Sequence, residues 1–320
     1  MVTSVCAGTY KQVEDVQRWQ INAFNLQTYN RSLVGQTKIL PAMSDDKDRK
    51  EIGGSSFGNA LMEKTPMRKL GSIVGVSCFF VLQAIAQTTP ALNTPWQWQL
   101  SSTPSASELI NVKLYDVDGF DASASLVNSM HAKNMYAVCY LSLGTWENWR
   151  PDAGSFPSSV KGRSNGWPGE KWLDIRNLST LGPIMTARFQ MCKDKGFDAV
   201  EPDNIDGYTN KTGFPLQAGD QLTFNRWIAN TAHSFGMAVA LKNDVEQVPQ
   251  LLPYFDFALN EECFRYRECD NYTQFITAGK PVFQVEYSLS TSKFCPKANA
   301  MNFNSMKKDV DLTAKRIPCR

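Results

Sequence analysis

Carboxylates crowd one short stretch of the chain, "GFDAVEPDNIDGY", which runs from Gly196 to Tyr208. Its opening residues read as a buried strand, and Glu201, Asp203 and Asp206 follow with no lysine or arginine in the stretch. Carboxylates held close together repel one another, so folding stability alone does not favour such a group. A site for acid–base chemistry, or for a cationic ligand, accounts for it.

Similar apolar runs of strand length recur along the chain, separated in several places by helical segments. The eight runs are "WQWQL", "NVKLYDVD", "MYAVCYLSLG", "KWLDIR", "FDAVEPDN", "MAVALKND", "FDFALNEEC" and "PVFQVEYS". Nearly continuous apolar strands that alternate with helices are typical of a parallel sheet buried on both faces. Eight such units in about 230 residues predict an α/β fold, a (β/α)8 TIM barrel with a single catalytic domain. A doubly wound open sheet is the alternative, because sequence does not show closure.

The C-terminal ends of all strands in a barrel meet at one face, where the active site lies. Acidic, polar and aromatic side chains follow most of the predicted strands, so we expect them to bind substrate at that face. They are Asp116, Asp118, Trp146, Glu147, Arg150, Asp152, Trp167, Asp174, Glu201, Asn204, Asp206, Tyr208, Lys242, Asn243, Asp244, Glu262, Glu286 and Tyr287. Tryptophan rings stack on sugars while carboxylates bind hydroxyl or amino groups, which is typical of a carbohydrate site. Asp116 and Asp174 have the alternative role of capping helices or turns.

Composition argues against several other classes of protein. The formal net charge is only +2 and no lysine–arginine run occurs, which disfavours a nucleic-acid binder. There are only two histidines, no cluster at zinc-ligand spacing and no glycine-rich phosphate loop, so we expect neither a metal nor a cofactor. A hydrolase that uses the acidic cluster to hold Mg²⁺ or Ca²⁺ stays as an alternative.

A short basic and apolar segment, "MRKLGSIVGVSCFFVLQAIAQTTP", begins at Met67. Its short apolar run and the A-x-A sequence before Gln87 predict a signal peptide over 67–86, with an uncleaved membrane anchor as the alternative. Residues 1–66 are polar and lack periodicity, which indicates a disordered or spurious N-terminal extension. The predicted hydrolase domain covers 87–295, and 296–320 is a C-terminal extension.

Cysteine usage after the predicted cleavage site fits an oxidising compartment. Six cysteines remain, and an even number in a secreted chain suggests disulfides of unknown pairing. Cys263 and Cys269 are close enough to form a small loop, while Cys139 is alternatively an ordinary buried thiol. N-glycosylation sequons begin at Asn177, Asn210 and Asn271. We expect a secreted or cell-wall monomer, with membrane contact only if 67–86 stays uncleaved.

Several strings together resemble one family: "VKLYDVDGFD", "YLSLGTWENWRPDAGSFP", "WPGEKWLDIR", "GFDAVEPDNIDGYTNKTGF", "ALKND", "NEECFRY" and "GKPVFQVEYS". They are similar to the endo-α-1,4-polygalactosaminidases of glycoside hydrolase family 114, over about residues 96–288. The resemblance implies a TIM barrel that cleaves α-1,4-linked galactosamine polymers internally, without a metal. One small departure is Leu143, because the family usually has "SAG" where this chain has "SLG".

The resemblance also implies a catalytic pair from the "EPDN" and "NEEC" strand ends. These correspond to Asp203 as nucleophile and to Glu261 or Glu262 as acid/base, in a mechanism that we expect to retain configuration. Side chains alternate along a strand, so only one of the two glutamates faces the barrel axis, and we expect Glu261.

The expected specificity follows from charge. De-N-acetylated galactosamine units are cationic, and an acid-lined cleft concentrates them. The candidates for binding ammonium groups are Asp116, Asp118, Glu147, Asp206, Asp244 and Glu286. The alternatives are an α-galactosidase acting on neutral α-galactosides and a catalytically inactive barrel that only binds polysaccharide.

Overall fold

The structure is a computed structural model that describes residues 89–320. Eight parallel strands form the barrel wall in the order β1-β2-β3-β7-β8-β9-β10-β11, and the short β12 (Ile317–Pro318) pairs antiparallel with β11. The fold is therefore a (β/α)8 barrel, as the alternating pattern predicts. The parallel strands are β1 (Trp96–Gln99), β2 (Leu114–Asp118), β3 (Tyr136–Ser142), β7 (Ala199–Asp203), β8 (Ala238–Lys242), β9 (Phe257–Glu261), β10 (Val282–Glu286) and β11 (Asn304–Lys307).

Helices connect most of the strands and cover the outside of the barrel. The two longest are bounded by clear local signals: Asn177 caps one, which ends at Gly196 with φ of +89°, and Gln217 with Asp220 forms a capping box on the other. The helices are α1 (Ala124–Ala132), α2 (Leu178–Lys195), α3 (Ala218–Ser234), α4 (Val248–Leu251), α5 (Cys263–Tyr266), α6 (Thr273–Thr277) and α7 (Thr291–Ala300). No helix within residues 89–320 is both long and apolar enough to cross a membrane.

The "KWLDIR" run is not a barrel strand, which corrects the prediction. It forms β6 (Glu170–Leu173), the middle strand of a small antiparallel sheet with β4 (Thr145–Glu147) and β5 (Lys161–Ser164). This hairpin sheet is an insertion between β3 and α2. The run is mostly buried, as a barrel strand is, and burial does not reveal which sheet a strand joins.

The eighth barrel strand is instead β11, inside the segment predicted as a C-terminal extension. The chain after β11 lies along the seam of the barrel. Leu100 donates its backbone N–H to the Leu312 carbonyl at 3.1 Å, and the Trp96 indole donates to the Asn304 carbonyl at 2.8 Å. The boundary expected at residue 295 therefore has no structural counterpart, because a four-residue, partly polar strand is too short to stand out in sequence.

Apolar side chains form two cores, one inside the barrel and one between the sheet and the helices. Disulfides pin the outer layer: Cys139 to Cys192, Cys263 to Cys269 and Cys295 to Cys319. The alternative of a free buried thiol at Cys139 is therefore wrong, because the bond joins β3 to α2. The predicted extension 1–66 and signal segment 67–86 lie outside the described residues.

Candidate active site

Three neighbouring strands, β7, β8 and β9, end in the same way. The last inward-facing side chains are Asp203, Lys242 and Glu261, and the next residue of each chain segment adopts a left-handed conformation. Those residues are Asn204, Asn243 and Glu262, with φ of 60°, 50° and 60°. Asparagine tolerates this conformation, whereas glutamate adopts it at a cost. The left-handed turn takes the chain away from the sheet directly after each functional side chain.

The Lys242 ammonium joins three carboxylates at the centre of the site. Its Nζ lies 3.0 Å from Glu201 Oε1, 2.8 Å from Asp203 Oδ1 and 3.3 Å from Glu261 Oε2. Burial alone would lower the pKa of Lys242, but the three carboxylates raise it well above its ordinary value. The side chain therefore stays a cation. We call these four residues the lysine cluster.

Asp203 lies at the opening of the barrel, with 19% of its side chain exposed. Burial tends to raise the pKa of this carboxyl, but the Lys242 charge and several hydrogen bonds outweigh it and leave the pKa below its usual value. The Tyr140 hydroxyl donates to Asp203 Oδ2 at 2.9 Å, and the Asn204 amide donates at 3.2 Å. Asp203 is thus held ionised, as a nucleophilic carboxylate must be.

The two neighbouring glutamates point to different places. Glu261 accepts hydrogen bonds from the Asn243 amide at 3.2 Å and from the Tyr287 hydroxyl, and its side chain is 28% exposed. Glu262 instead accepts two bonds from Arg265 Nη1, at 2.9 and 3.0 Å, outside the lysine cluster. Glu261 therefore faces Asp203 across Lys242, and Glu262 does not.

Asp206 and Asp244 form a second acidic pair next to the lysine cluster. Burial and the charge of Asp203 raise the pKa of Asp206 to about 6. Burial and the charge of Asp206 raise the pKa of Asp244 to about 8, although Asn225 donates to it at 2.8 Å. Tyr208 also hydrogen-bonds to Asp244, and its hydroxyl donates to Glu246 at 3.2 Å. A raised pKa for both acids indicates a place where a cation would be stabilised.

Glu170 is a site residue that sequence analysis missed. It comes from the hairpin sheet, and its Oε1 accepts from the Thr145 hydroxyl and from the Asn204 amide, the latter at 3.2 Å. Burial raises its pKa to about 7. Because Asn204 also donates to Asp203, Glu170 is one hydrogen-bonded residue away from the proposed nucleophile. Glu170 does not lie at the end of a barrel strand, where the sequence analysis looked for acids, because the hairpin sheet is outside the β/α repeat.

Two aromatic residues of the inner wall were also missed, although their signal was available. Tyr140 precedes Ser142 by two positions in β3, so it faces inward as Ser142 does. Trp98 lies in β1, and its ring is 4.6 Å from Lys242 Nζ, a cation–π contact. Strand alternation identifies both as interior residues once the strands are known.

Four predicted substrate-binding residues are joined to one another or to Arg188 in ion pairs. Arg150 donates two hydrogen bonds to Asp118, at 2.9 and 2.7 Å, and two to Glu147, at 2.8 and 2.7 Å. Arg188 likewise donates to Asp152, at 2.7 and 2.9 Å. We call these five residues the arginine cluster. They tie the hairpin insertion to the barrel and leave no free carboxylate for an amine.

Four further candidates lie in other surroundings than an open binding site. Asp174 pairs with Arg176 at 2.7 Å, and that hydrogen bond lowers its pKa. The side chain of Glu286 points outward from β10, away from the barrel interior. It is fully buried there and accepts a hydrogen bond from the Phe264 N–H. Trp146 is half-buried under Lys161, whose Nζ lies 4.3 Å from the ring. Trp167 is half-buried in the loop before β6.

Asp116 lies deeper in the barrel than expected of a substrate ligand. It is 1% exposed, and neither carboxylate oxygen receives a hydrogen bond from a donor group within residues 89–320. Burial and the charge of Glu201 raise its pKa well above the usual value. Burial therefore favours the neutral form of Asp116, which lies inside the barrel beneath the opening.

A barrel that presents paired carboxylates at its C-terminal opening is an architecture of glycoside hydrolases. The model of glycoside-hydrolase family GH114 matches residues 81–320. The chain belongs to that family and is a glycoside hydrolase.

Two solved structures support the fold. The crystal structure of Aspergillus fumigatus Ega3 in complex with galactosamine is 35% identical, covers 73% of this chain and 98% of its own, and has a TM-score of 0.69. The glycoside hydrolase domain of PelA from Pseudomonas aeruginosa is 12% identical, covers 70% and 97%, and has a TM-score of 0.56, which supports the fold alone. No curated protein matches the chain.

Proposed function

We propose that this enzyme is a secreted endo-α-1,4-polygalactosaminidase that retains configuration, with Asp203 as nucleophile and Glu261 as acid/base. The observation that carries the proposal is the contact of both carboxylates with one ammonium, Lys242. It brings an ionised acid and a second, partly exposed acid together at the barrel opening. Similarity to Ega3, whose structure holds galactosamine, supports an amino sugar as substrate.

The spacing of the pair supports retention. Asp203 Oδ1 and Glu261 Oε2 lie 2.8 and 3.3 Å from the same nitrogen. The two oxygens are thus at most about 6 Å apart, below the roughly 6.5–9.5 Å that separates the carboxyls of inverting enzymes. A gap of this size suits direct attack by a carboxylate and leaves little room for a water on the nucleophile side.

The reaction would run in two steps. Asp203 attacks the anomeric carbon while Glu261 gives its proton to the departing glycosidic oxygen, and an ester forms between sugar and Asp203. Esterification removes the charge of Asp203, so the Lys242 ammonium then stabilises an ionised Glu261. Glu261 in that form takes a proton from water, which attacks the anomeric carbon and releases Asp203.

Asp206 would supply the preference for amino sugars. Its side chain is half-buried beside the lysine cluster, and burial together with the charge of Asp203 raises its pKa to about 6. A protonated amine beside it would relieve that repulsion and keep Asp206 ionised. Acetylated or neutral sugars lack this charge, so they would bind less well.

Secretion is supported by cysteine chemistry. Three disulfides lie within residues 89–320, and such bonds persist in oxidising compartments. The basic and apolar segment at 67–86 has the composition of a signal peptide. Mass spectrometry of protein purified from culture medium should find a chain that starts at Gln87. Peptides from residues 1–66 in that material would contradict the signal peptide.

The substrate is tested by mass spectrometry of products from three polymers: deacetylated galactosaminan, its acetylated form and a neutral α-galactan. We expect a ladder of oligomers from the deacetylated polymer. Monomer alone from that polymer would contradict internal cleavage. Faster release from the neutral polymer would indicate an α-galactosidase, and binding without any product would indicate an inactive barrel.

A further inference from the structure

Two buried carboxyl groups lie beneath the proposed catalytic pair and take no direct part in its chemistry. Asp116 extends from β2 and Glu201 from β7, and the two carboxyls come close enough to act on one another and to form a hydrogen bond once one of them is protonated. Asp116 is 1% exposed and Glu201 is fully buried. Apart from this mutual contact, the described residues provide one donor to the pair, Lys242 Nζ on Glu201 Oε1.

Two adjacent carboxylates in a dry environment do not both ionise without a compensating cation. A proton held between them removes one charge and satisfies one oxygen of each group. Burial and the charge of Glu201 raise the pKa of Asp116 well above its usual value, and burial raises that of Glu201 to about 6. Both effects favour the proton on Asp116, with Glu201 as its acceptor.

We propose that Asp116 and Glu201 share one proton and act as positioning residues whose single negative charge holds the Lys242 ammonium between Asp203 and Glu261. The catalytic part of this inference rests on the proposed function. If both acids were ionised, two negative charges would lie beneath Lys242 and would draw it deeper into the barrel. With one proton in the pair, only one negative charge lies there.

The surroundings of the pair fit this role. The indole ring of Trp98 lies 4.6 Å from Lys242 Nζ on the β1 side, so it supports the cation without adding charge. Besides Lys242, the charged groups that act on the pair are Asp203 from β7 and, through Lys242, Glu261 from β9. From β3, Tyr140 donates to Asp203 and stays protonated, because burial raises its pKa well above the usual value.

The positioning role is tested by comparing Asp116→Asn with Asp116→Ala. The asparagine amide can donate to Glu201 as the protonated acid does, so we expect its kcat within about threefold of the parent. Alanine removes the donor and should lower kcat about 10–100-fold with KM within about twofold, since substrate does not touch Asp116. Asp256→Asn, a carboxylate below β9 that accepts from Val239 N–H, is the control and should keep parental kcat.

The shared proton is tested without substrate by infrared difference spectroscopy of the parent minus Asp116→Asn at pH 7. We expect a protonated-carboxyl C=O band in the parent that shifts in D₂O. Absence of this band would overturn the proposal, as would parental kcat in Asp116→Ala or a large loss in Asp116→Asn. If Asp116→Ala does not fold, the asparagine variant and the spectrum decide. A parent that cleaves no glycan but shows the band would contradict the proposed function and leave the shared proton intact.

Discussion

Two clusters of charged side chains lie at the C-terminal end of this barrel, and each contains three carboxylates. The arginine cluster sets two guanidinium groups against Asp118, Glu147 and Asp152, mostly through paired hydrogen bonds. The lysine cluster sets one ammonium against its three. The first is nearly neutral and closed, whereas the second has an excess of negative charge and opens to solvent at Asp203 and Glu261.

The two clusters contain equal numbers of acids, so the number of acids does not identify the catalytic site. The number of cations beside the acids does. A bidentate arginine occupies both oxygens of a carboxylate and holds it in place, which suits a structural role. A lysine shared among several acids leaves oxygens free for substrate and protons. Substitutions in the lysine cluster should therefore reduce activity, and substitutions in the arginine cluster should reduce stability.

The largest effect is expected from Asp203→Asn. The amide keeps the shape and the Lys242 pocket but cannot form the glycosyl ester, so kcat should fall about 10³-fold or more. Initial rates on the deacetylated polymer measure this, with thermal unfolding as the check on folding. An asparagine variant with a rate near that of the parent would remove Asp203 from the mechanism.

Breaking the arginine cluster should affect stability. Arg150→Met leaves Asp118 and Glu147 buried without their partner and should lower the free energy of unfolding by about 3–5 kcal/mol. The matched control is Arg176→Met, which breaks the exposed pair with Asp174 and should cost less than about 1 kcal/mol. Urea unfolding of the three proteins gives both values. An equal loss of unfolding free energy in the two variants would show that the arginine cluster does not stabilise the fold.

Substrate charge should matter through Asp206. Asp206→Asn should narrow the difference in kcat/KM between deacetylated and acetylated oligomers about 3–10-fold, because one exposed charge contributes modestly. Salt should raise KM on the charged substrate in the parent and do so less in the variant. Asp270→Asn, which removes a charge from a residue with an 80% exposed side chain, is the control. An unchanged ratio in Asp206→Asn would assign amine recognition elsewhere.

The smallest effect on activity is expected at Glu286, whose pKa burial raises to about 7. A raised native pKa means that its contribution to stability is complete below the unfolded value near 4.5 and is lost as the pH rises through about 7. Glu286→Gln should therefore flatten the fall in unfolding free energy between about pH 5 and pH 8, by roughly 1–2 kcal/mol, with no change in kcat. A parallel pH dependence in the two proteins would contradict this reading of Glu286.

Sequence predicted the barrel because seven of its strands are apolar runs in a regular order. It did not predict β11, which is short and partly polar, or the separate sheet that takes "KWLDIR". It placed Asp203, Lys242 and Glu261 correctly at strand ends, because the alternation of side chains and the end of each apolar run can both be read from the sequence. It could not distinguish Asp206 from Asp118, because that depends on which acid an arginine from a distant loop or helix reaches.

The assignment of the two carboxylates is tested most directly by azide rescue. In Glu261→Ala, azide should attack the sugar–Asp203 ester from the opposite side and give a glycosyl azide of retained, α configuration. In Asp203→Ala, azide takes the place of the nucleophile and should give the inverted, β product. NMR of the products from an activated α-galactosaminide distinguishes them. We expect α-azide from the first variant and β-azide from the second; the reverse pattern, or rescue of neither variant, would contradict the assignment of the two carboxylates.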